Sequence, residues 1–208
     1  MSNPYERYVL PYLTDYVCGA RPISRQRAKL VPLAQGRVLE IGIGTGQNLA
    51  HYDKSKVKQL VGLDPSMQMH SLARRRMAAA GLEVELLGLS AEKIPQDDAS
   101  FDTVVVTYTL CTIPDPVSAL REMRRVLKPN GQLLFCEHGR APDAEVARWQ
   151  DRLNPYWGVI GGGCNLNRDI PAMLRASGWH CPDIQTMYLP GPRWLNYNYW
   201  GRATRNRA

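Results

Sequence analysis

The chain has 208 residues, of which 44% are hydrophobic and 22% charged, and it carries a net charge of +7. That size and balance suit one globular domain and exclude a disordered or fibrous chain. No stretch approaches the ~18 uninterrupted apolar residues of a membrane span.

The N-terminus, MSNPYERYVLPYL, lacks the basic start and apolar run of a secretory signal, so the expectation is a cytoplasmic protein without an N-terminal anchor. Residues 5 to 16 place Tyr5, Tyr8, Val9, Tyr12, Leu13 and Tyr16 at 3–4 spacing. This predicts an amphipathic helix, bent at Pro11, that packs on the domain or closes over a ligand as a lid. Arg37 to Ile41 reads as a buried strand entering a glycine turn. Lys58 to Leu63 is a second strand, ending at Asp64. A helix follows, with Met69, Leu72, Ala73, Met77 and Ala80 inward and Gly81 as its stop. Its Arg74-Arg75-Arg76 run reads as a solvated face. With no zinc-finger or RNA-binding signature beside it, no nucleic-acid partner is expected.

Glu83 to Leu87 and Phe101 to Tyr108 are the third and fourth strands. Asp115 to Leu127 is a helix closed by Pro129, and Asn130-Gly131 turns the chain into a fifth strand, Gln132 to Glu137. Beyond Gly139, Trp149, Pro155, Trp157 and Gly161-Gly162-Gly163 suggest an inserted helix and loop. Asp169 is placed to cap a helix with Pro171 in its first turn and Gly178 past its end. Residues 183 to 205 supply the last two strands. The alternation predicts a doubly wound α/β fold with a mostly parallel, seven-stranded sheet. One domain is expected over 1–208: an N-terminal helical lid (1–30), a ligand-binding core (36–137), and a substrate-side helical insertion with the last strands (140–208).

The five cysteines, Cys18, Cys111, Cys136, Cys164 and Cys181, are odd in number and show no CxxC pair. This argues for reduced thiols and against a disulfide framework or a metal site.

The richest segment is Val38-Leu39-Glu40-Ile41-Gly42-Ile43-Gly44-Thr45-Gly46. Glycines there let the backbone turn tightly and approach a ligand. A dinucleotide fingerprint needs glycine at the first, third and sixth positions, but the sixth is Gln47 and glycine falls at the fifth. NAD is therefore not expected, and no Gly-Lys-Ser/Thr completes a phosphate loop. Asp64 stands 22 residues beyond Gly42, where a carboxylate can accept both hydroxyls of a ribose.

With the Glu40–Gly46 segment go Gly62-Leu63-Asp64-Pro65-Ser66, Phe101-Asp102-Thr103-Val104-Val105 and Arg125-Val126-Leu127-Lys128-Pro129-Asn130-Gly131. In this order and spacing they resemble the class I S-adenosylmethionine-dependent methyltransferases, over about Gly36 to Glu137. The resemblance implies a Rossmann-like fold and S-adenosylmethionine as cofactor, with S-adenosylhomocysteine as product. It puts the methionine part at Glu40, Gly42 and Gly44, the ribose on Asp64, and the adenine beside Met67 and Ser90-Ala91-Glu92. Gly46, Asn48, Pro65 and Thr107 complete the implied cofactor set. Ser90 stands where many members carry Asp, and Asn130 where glycine is usual, although Asn tolerates a left-handed turn.

A second similarity covers the C-terminal half. Thr107 to Ile113, Glu137-His138, Trp149-Gln150, and Gly163-Cys164-Asn165-Leu166 with Arg168 look like the animal alkyl-thiol methyltransferases. This implies a small thiol or sulfide acceptor. Tyr108 with Ile113-Pro114-Asp115-Pro116 is also similar to soluble bacterial phospholipid N-methyltransferases, and the basic charge and aromatic N-terminal helix would suit peripheral contact with a lipid surface. Candidate catalytic residues are His138, Tyr108 and Cys111; candidate substrate-binding residues are Tyr12, Asn165 and Arg168. For each, the sequence also allows a packing or loop-bonding role. Thiolate forms near neutral pH and needs little base help, and methyl transfer by this route requires no metal. A non-enzymatic reading, a chain that binds the cofactor as a sensor or partner subunit, stays open, as does the oligomeric state.

Overall fold

The computed structural model describes residues 4–205. Helices α1 (Pro4–Tyr8), α2 (Leu10–Cys18) and α3 (Arg21–Leu30) precede strand β1 (Gly36–Ile41). The chain then alternates through β2 (Val57–Leu63), α4 (His70–Ala80), β3 (Val84–Leu87), β4 (Phe101–Thr107), α5 (Pro116–Val126) and β5 (Leu127–His138). Helices α6 (Ala144–Ile160) and α7 (Ile170–Ala176) follow, and β6 (Trp179–His180), β7 (Gln185–Tyr188) and β8 (Tyr197–Arg205) end the described chain.

Strands β3, β2, β1, β4 and β5 lie side by side in that order and all run parallel. Strand β8 closes on β5 antiparallel. Its other edge carries both β6 and β7, also antiparallel. The seven positions expected of the sheet are thus filled by eight segments, because the last edge position is broken between His180 and Gln185, where Pro182 cannot donate to a ladder.

Both faces of the sheet are covered, so its central strands read as continuous apolar runs. Alternate residues serve opposite layers: Val104, Val106, Leu133 and Phe135 join α5 and α7 on one face, while Val38, Val105, Leu134 and Cys136 meet Leu30 and Val31 on the other. The same parity assigns Glu40 and Thr107 to the α3 face. Strand order reverses at β1, between β2 and β4, so the crevice beyond its carboxyl end is the topological switch point at which such sheets bind ligands.

The cap expected at Asp169 and the stop expected at Gly81 form, and Asp115, where a helix was expected to begin, caps α5 as well. Asp115 accepts from Ser118 N at 3.0 Å, Asp169 accepts from Ala172 N at 2.9 Å, and Gly81 ends α4 at φ +58°. Helix α3 falls within the helical segment expected over 1–30, but it was not read as a separate element. Its Ile23, Gln26, Arg27 and Leu30 do follow the 3–4 spacing, but the polar run between them hides it. The N-terminal helix differs from expectation in two ways. It breaks at Val9, so that Pro11 sits in the first turn of α2 where no helical N–H is needed. Its tyrosines also point outward, with Tyr8, Tyr12 and Tyr16 at 62, 65 and 82% exposure.

Candidate active site

Two adjoining cavities lie beyond the carboxyl ends of the parallel strands. The first, about 390 Å³, runs from Gly42 and Gly44 past Asp64, Pro65 and Met69 to Ser90 and Ala91, within the range of small-molecule sites. The second, about 290 Å³, is walled by Leu10, Leu13, Val17, Ile160, Leu189 and Leu195, with Cys111, His138 and Cys164 on its lining. Leu10, Thr14, Tyr108 and Thr112 line both. Tyr108 stands between the two. It adopts φ +53°, rare for a residue with a side chain, and its hydroxyl donates to Asn198 Oδ1 at 2.6 Å. Burial pushes that phenol well above its ordinary range.

The glycine loop is tied to the second strand. Gly42 N–H donates to Leu63 O at 2.7 Å, and Gly44 N–H to Asp64 Oδ2 at 2.9 Å. Asp64 Oδ1 accepts from Ser66 N–H at 2.8 Å. Burial raises the Asp64 carboxyl, and these two N–H donors oppose the rise. A carboxylate has about four acceptor positions, so two remain for a pair of vicinal hydroxyls. Gly42, at φ +67°, admits no side chain, since a Cβ would sit 2.2 Å from Thr109.

Other residues expected on the cofactor lie elsewhere. Glu40 is fully buried on the α3 face and does not line the cavity. Its Oε1 accepts from Asn48 Nδ2 at 3.0 Å and its Oε2 from Tyr52 at 2.8 Å. Asn48 and Thr107 join the same network, bonded to each other and to the buried Arg27 guanidinium. The set braces the loop from behind. Burial pushes the Glu40 carboxyl up to about 7, against the pull of Tyr52 and Arg27. Gly46 is a packing glycine: a Cβ there would meet Leu49 at 2.7 Å and Ala73 at 3.2 Å. Met67 is 58% exposed, and Met69 takes the cavity position instead. Glu92 is occupied by the Ser90 hydroxyl at 2.7 Å and Asp115 N–H at 2.7 Å. Gly42, Gly44, Asp64, Pro65, Ser90 and Ala91 do share the cavity.

The residues expected on the acceptor side divide likewise. Tyr12 faces away from both cavities. Asn165 and Arg168 bind loop carbonyls: Asn165 donates to Cys111 O from both its backbone N and Nδ2 at 2.9 Å, and Arg168 reaches Leu110 O and Ile113 O. They hold the segment after β4 against the loop after α6. Glu137, buried and pushed up to about 8, accepts from the N–H groups of Thr109 and Leu110 in that segment.

Cys111 and His138 do line the acceptor cavity and are joined there by Cys164, whose Sγ lies 3.2 Å from His138 Nε2. Cys111 is the thiol that ionises first. A hydrogen bond from Cys164 and the charge of His138 outweigh its burial. Burial works against a charged His138, but the neighbouring Cys111 raises it above its ordinary value. Cys164 was named in the sequence as one of five reduced thiols and as part of a resemblance, not as a site residue. Leu10, Thr14 and Thr109 were missed, because no local pattern shows which side of a helix or turn meets a distant cavity.

Helix α2 covers the junction and is latched to the glycine loop. Arg76 grips both oxygens of Asp15 at 2.7 and 3.0 Å, while Thr45 and Gln47 donate to Asp15 Oδ1 at 2.6 and 2.7 Å. Among the described residues, no helix is long and apolar enough to cross a membrane.

A family model described as a methyltransferase domain matches residues 39–135. Thiol S-methyltransferase TMT1B of Homo sapiens is 37% identical over 78% of this chain and 68% of that protein, and its Rattus norvegicus counterpart is 32% identical over 76% and 65%. The chain therefore spans about two thirds of these relatives or slightly less. A phosphatidylethanolamine N-methyltransferase of Cereibacter sphaeroides is 32% identical over 77% of this chain and 79% of that protein. A SAM-dependent methyltransferase of Thermotoga maritima shares the fold with TM-score 0.66 at 25% identity, covering 97% of this chain and 98% of that one.

Proposed function

This chain belongs to the methyltransferase domain family, and from that premise we propose that it is an S-adenosylmethionine-dependent enzyme whose acceptor is the sulfur of a small thiol or sulfide. The observation that carries the reading is the pair of joined cavities, one bearing the Asp64 carboxylate beside the glycine loop, the other apolar and bearing sulfur and imidazole.

The first cavity fits the cofactor. Asp64 keeps two acceptor positions for the ribose, Ser90 and Ala91 would border the adenine, and the side-chain-free edges of Gly42 and Gly44 would take the methionine end. When bound, S-adenosylmethionine supplies a sulfonium-activated methyl group for in-line displacement. The chain must then bring the acceptor within about 3 to 3.5 Å of that carbon and exclude water. Tyr108 and Thr112, common to both cavities, are placed to align the two molecules, and α2 to close over them.

Two features favour sulfur. A free thiol ionises at a pKa of about 8.5, so positioning does most of what catalysis requires. Among the described residues, no Asp or Glu lines the acceptor cavity, so an ammonium headgroup would find no carboxylate partner, which disfavours the phospholipid amine reading. That reading keeps one point of support, the aromatic outer face of α2, which suits peripheral contact with a lipid surface. The reduced thiols suit a reducing compartment such as the cytoplasm.

An acceptor screen with methyl-labelled S-adenosylmethionine tests the assignment. Label should pass to alkyl thiols or hydrogen sulfide. Robust transfer to phosphatidylethanolamine, with none to any thiol or sulfide, would replace it.

A further inference from the structure

We propose that Cys111, His138 and Cys164 form a three-ligand zinc site whose fourth position opens into the acceptor cavity. The chain spacing argued against a metal site because no CxxC pair exists. The fold nevertheless brings together three donors from three separate segments: the loop after β4, the end of β5 and the loop after α6.

Their ligand atoms, two Sγ and one imidazole nitrogen, all lie within 4.8 Å of one another. From ordinary Zn–S and Zn–N bond lengths, donors around a tetrahedral zinc sit roughly 3.5 to 3.8 Å apart. The Cys164–His138 pair is at 3.2 Å, so small rotamer changes bring all three onto one centre. Two thiolates and one neutral imidazole are the donor types that zinc prefers. Two thiolates also cancel the charge of Zn²⁺, which suits a buried site where isolated charges are costly.

The surroundings hold these donors in place. Asn165 ties the Cys111 carbonyl to the Cys164 loop through two hydrogen bonds of 2.9 Å. Trp157 Nε1 is buried, meets no partner in good hydrogen-bond geometry among the described residues, and is directed at Cys164. A zinc-bound thiolate at Cys164 gives that N–H a charged acceptor, and such outer partners commonly tune metal sites. Structural zinc sites complete four protein ligands, whereas catalytic ones keep three and an open position. Here three ligands sit on the wall of the apolar cavity, so the open position faces whatever enters it.

The role follows on the reading of a thiol acceptor, on which it rests. An acceptor thiol entering the fourth position gives up its proton to solvent, because a coordinated thiol is deprotonated outright. Its sulfur then forms a bond to the methyl carbon. The bond from that carbon to the sulfonium breaks, and its electron pair stays on the departing sulfur. The product, a thioether without charge, is the weaker ligand and leaves.

The test uses the full chain, stripped with chelator under a phosphine reductant, and needs neither donor nor acceptor. Titration with Zn²⁺ against a chelating dye should give one equivalent per chain. Co²⁺ should give a thiolate charge-transfer band that strengthens when an alkyl thiol is added. Cys164→Ser and Cys111→Ser should each weaken zinc binding by more than the ~10–100-fold cost of losing an outer partner. Cys18→Ser, the other thiol on the cavity, should leave it unchanged. Absence of a charge-transfer band in the unsubstituted chain would overturn the site whatever the variants do. Zinc affinity unchanged in a folded Cys164→Ser chain would do the same, and a band indifferent to added thiol would overturn the open position. Metal binding and methyl transfer are read separately, so a chain that binds no zinc but methylates thiols fails this inference alone. A zinc-binding chain that methylates no thiol fails the acceptor assignment alone.

Discussion

The backbone N–H of Gly44 donates to Asp64 Oδ2 at 2.9 Å, binding the glycine loop after β1 to the end of β2 across the switch point of the sheet. Asp64 thus has two tasks: it fixes the loop, and it retains acceptor positions toward the first cavity.

Asp64→Ala should therefore weaken S-adenosylmethionine binding by about 100-fold or more. Hydrogen bonds to a charged acceptor are worth about 1.5–3 kcal/mol each, and the loop loses its tether as well. Calorimetry on the folded variant measures this. An unchanged dissociation constant would mean that the ribose binds elsewhere.

Gly46→Ala separates packing from binding. The residue lies at φ +82°, and its Cβ would press on Leu49 and Ala73 without entering the cavity. The expected loss is about 1–3 kcal/mol of stability, from backbone strain and overpacking, seen as a lower melting temperature. S-adenosylmethionine affinity at a temperature where the variant is folded should change much less. A cofactor defect without a stability defect would restore Gly46 to the binding set.

Asp15→Ala tests the latch on α2. Partial burial works against the Asp15 carboxylate, but Arg76, Thr45 and Gln47 hold it below its ordinary value. The latch should persist at neutral pH and weaken as pH falls through that depressed value. The ion pair is partly exposed, so its loss should cost only about 0.5–1 kcal/mol of stability. Cofactor dissociation, measured by stopped flow, should quicken by roughly 2- to 5-fold, which is that energy expressed as a rate. Equal rates in the two proteins would leave α2 as packing only.

Glu40→Gln tests the buried network. In the folded chain the Glu40 carboxyl is raised to about 7 from an ordinary 4.5, so the folded state holds its proton more tightly than the unfolded state. The stability contributed by that proton is fully present below pH 4.5 and is lost as pH rises through about 7. Melting curves between pH 5 and 8 should show this decline in the parent chain, summed with that of Glu137, whose carboxyl is raised to about 8, and Glu40→Gln should leave only the shallower Glu137 part. A parallel decline in the variant would assign the titration to another group.

The order of strands and helices, the helix start at Asp115, the cap at Asp169, and the Gly42–Gly44 loop with Asp64 were legible in the sequence because each depends on near neighbours. Backbone freedom at glycine, a hydroxyl or carboxylate before a helix, and apolar runs bounded by turns are local causes. They carry the family resemblance as well.

The roles of Glu40, Thr107, Asn165 and the N-terminal tyrosines were decided by the tertiary structure. Strand alternation turns Glu40 and Thr107 toward α3, but only the docking of α3 makes that face a closed polar network instead of a ligand wall. Tyr12 follows the helical spacing expected of an inward face, yet α2 uses Leu10 and Thr14 to cover the cavities and leaves its tyrosines outside. The grouping of Cys111, His138 and Cys164 follows from how two loops are stitched together at Asn165. Spacing along the chain cannot report such a cluster, because its members meet only after the sheet has formed and the loop after α6 has folded back over its carboxyl end.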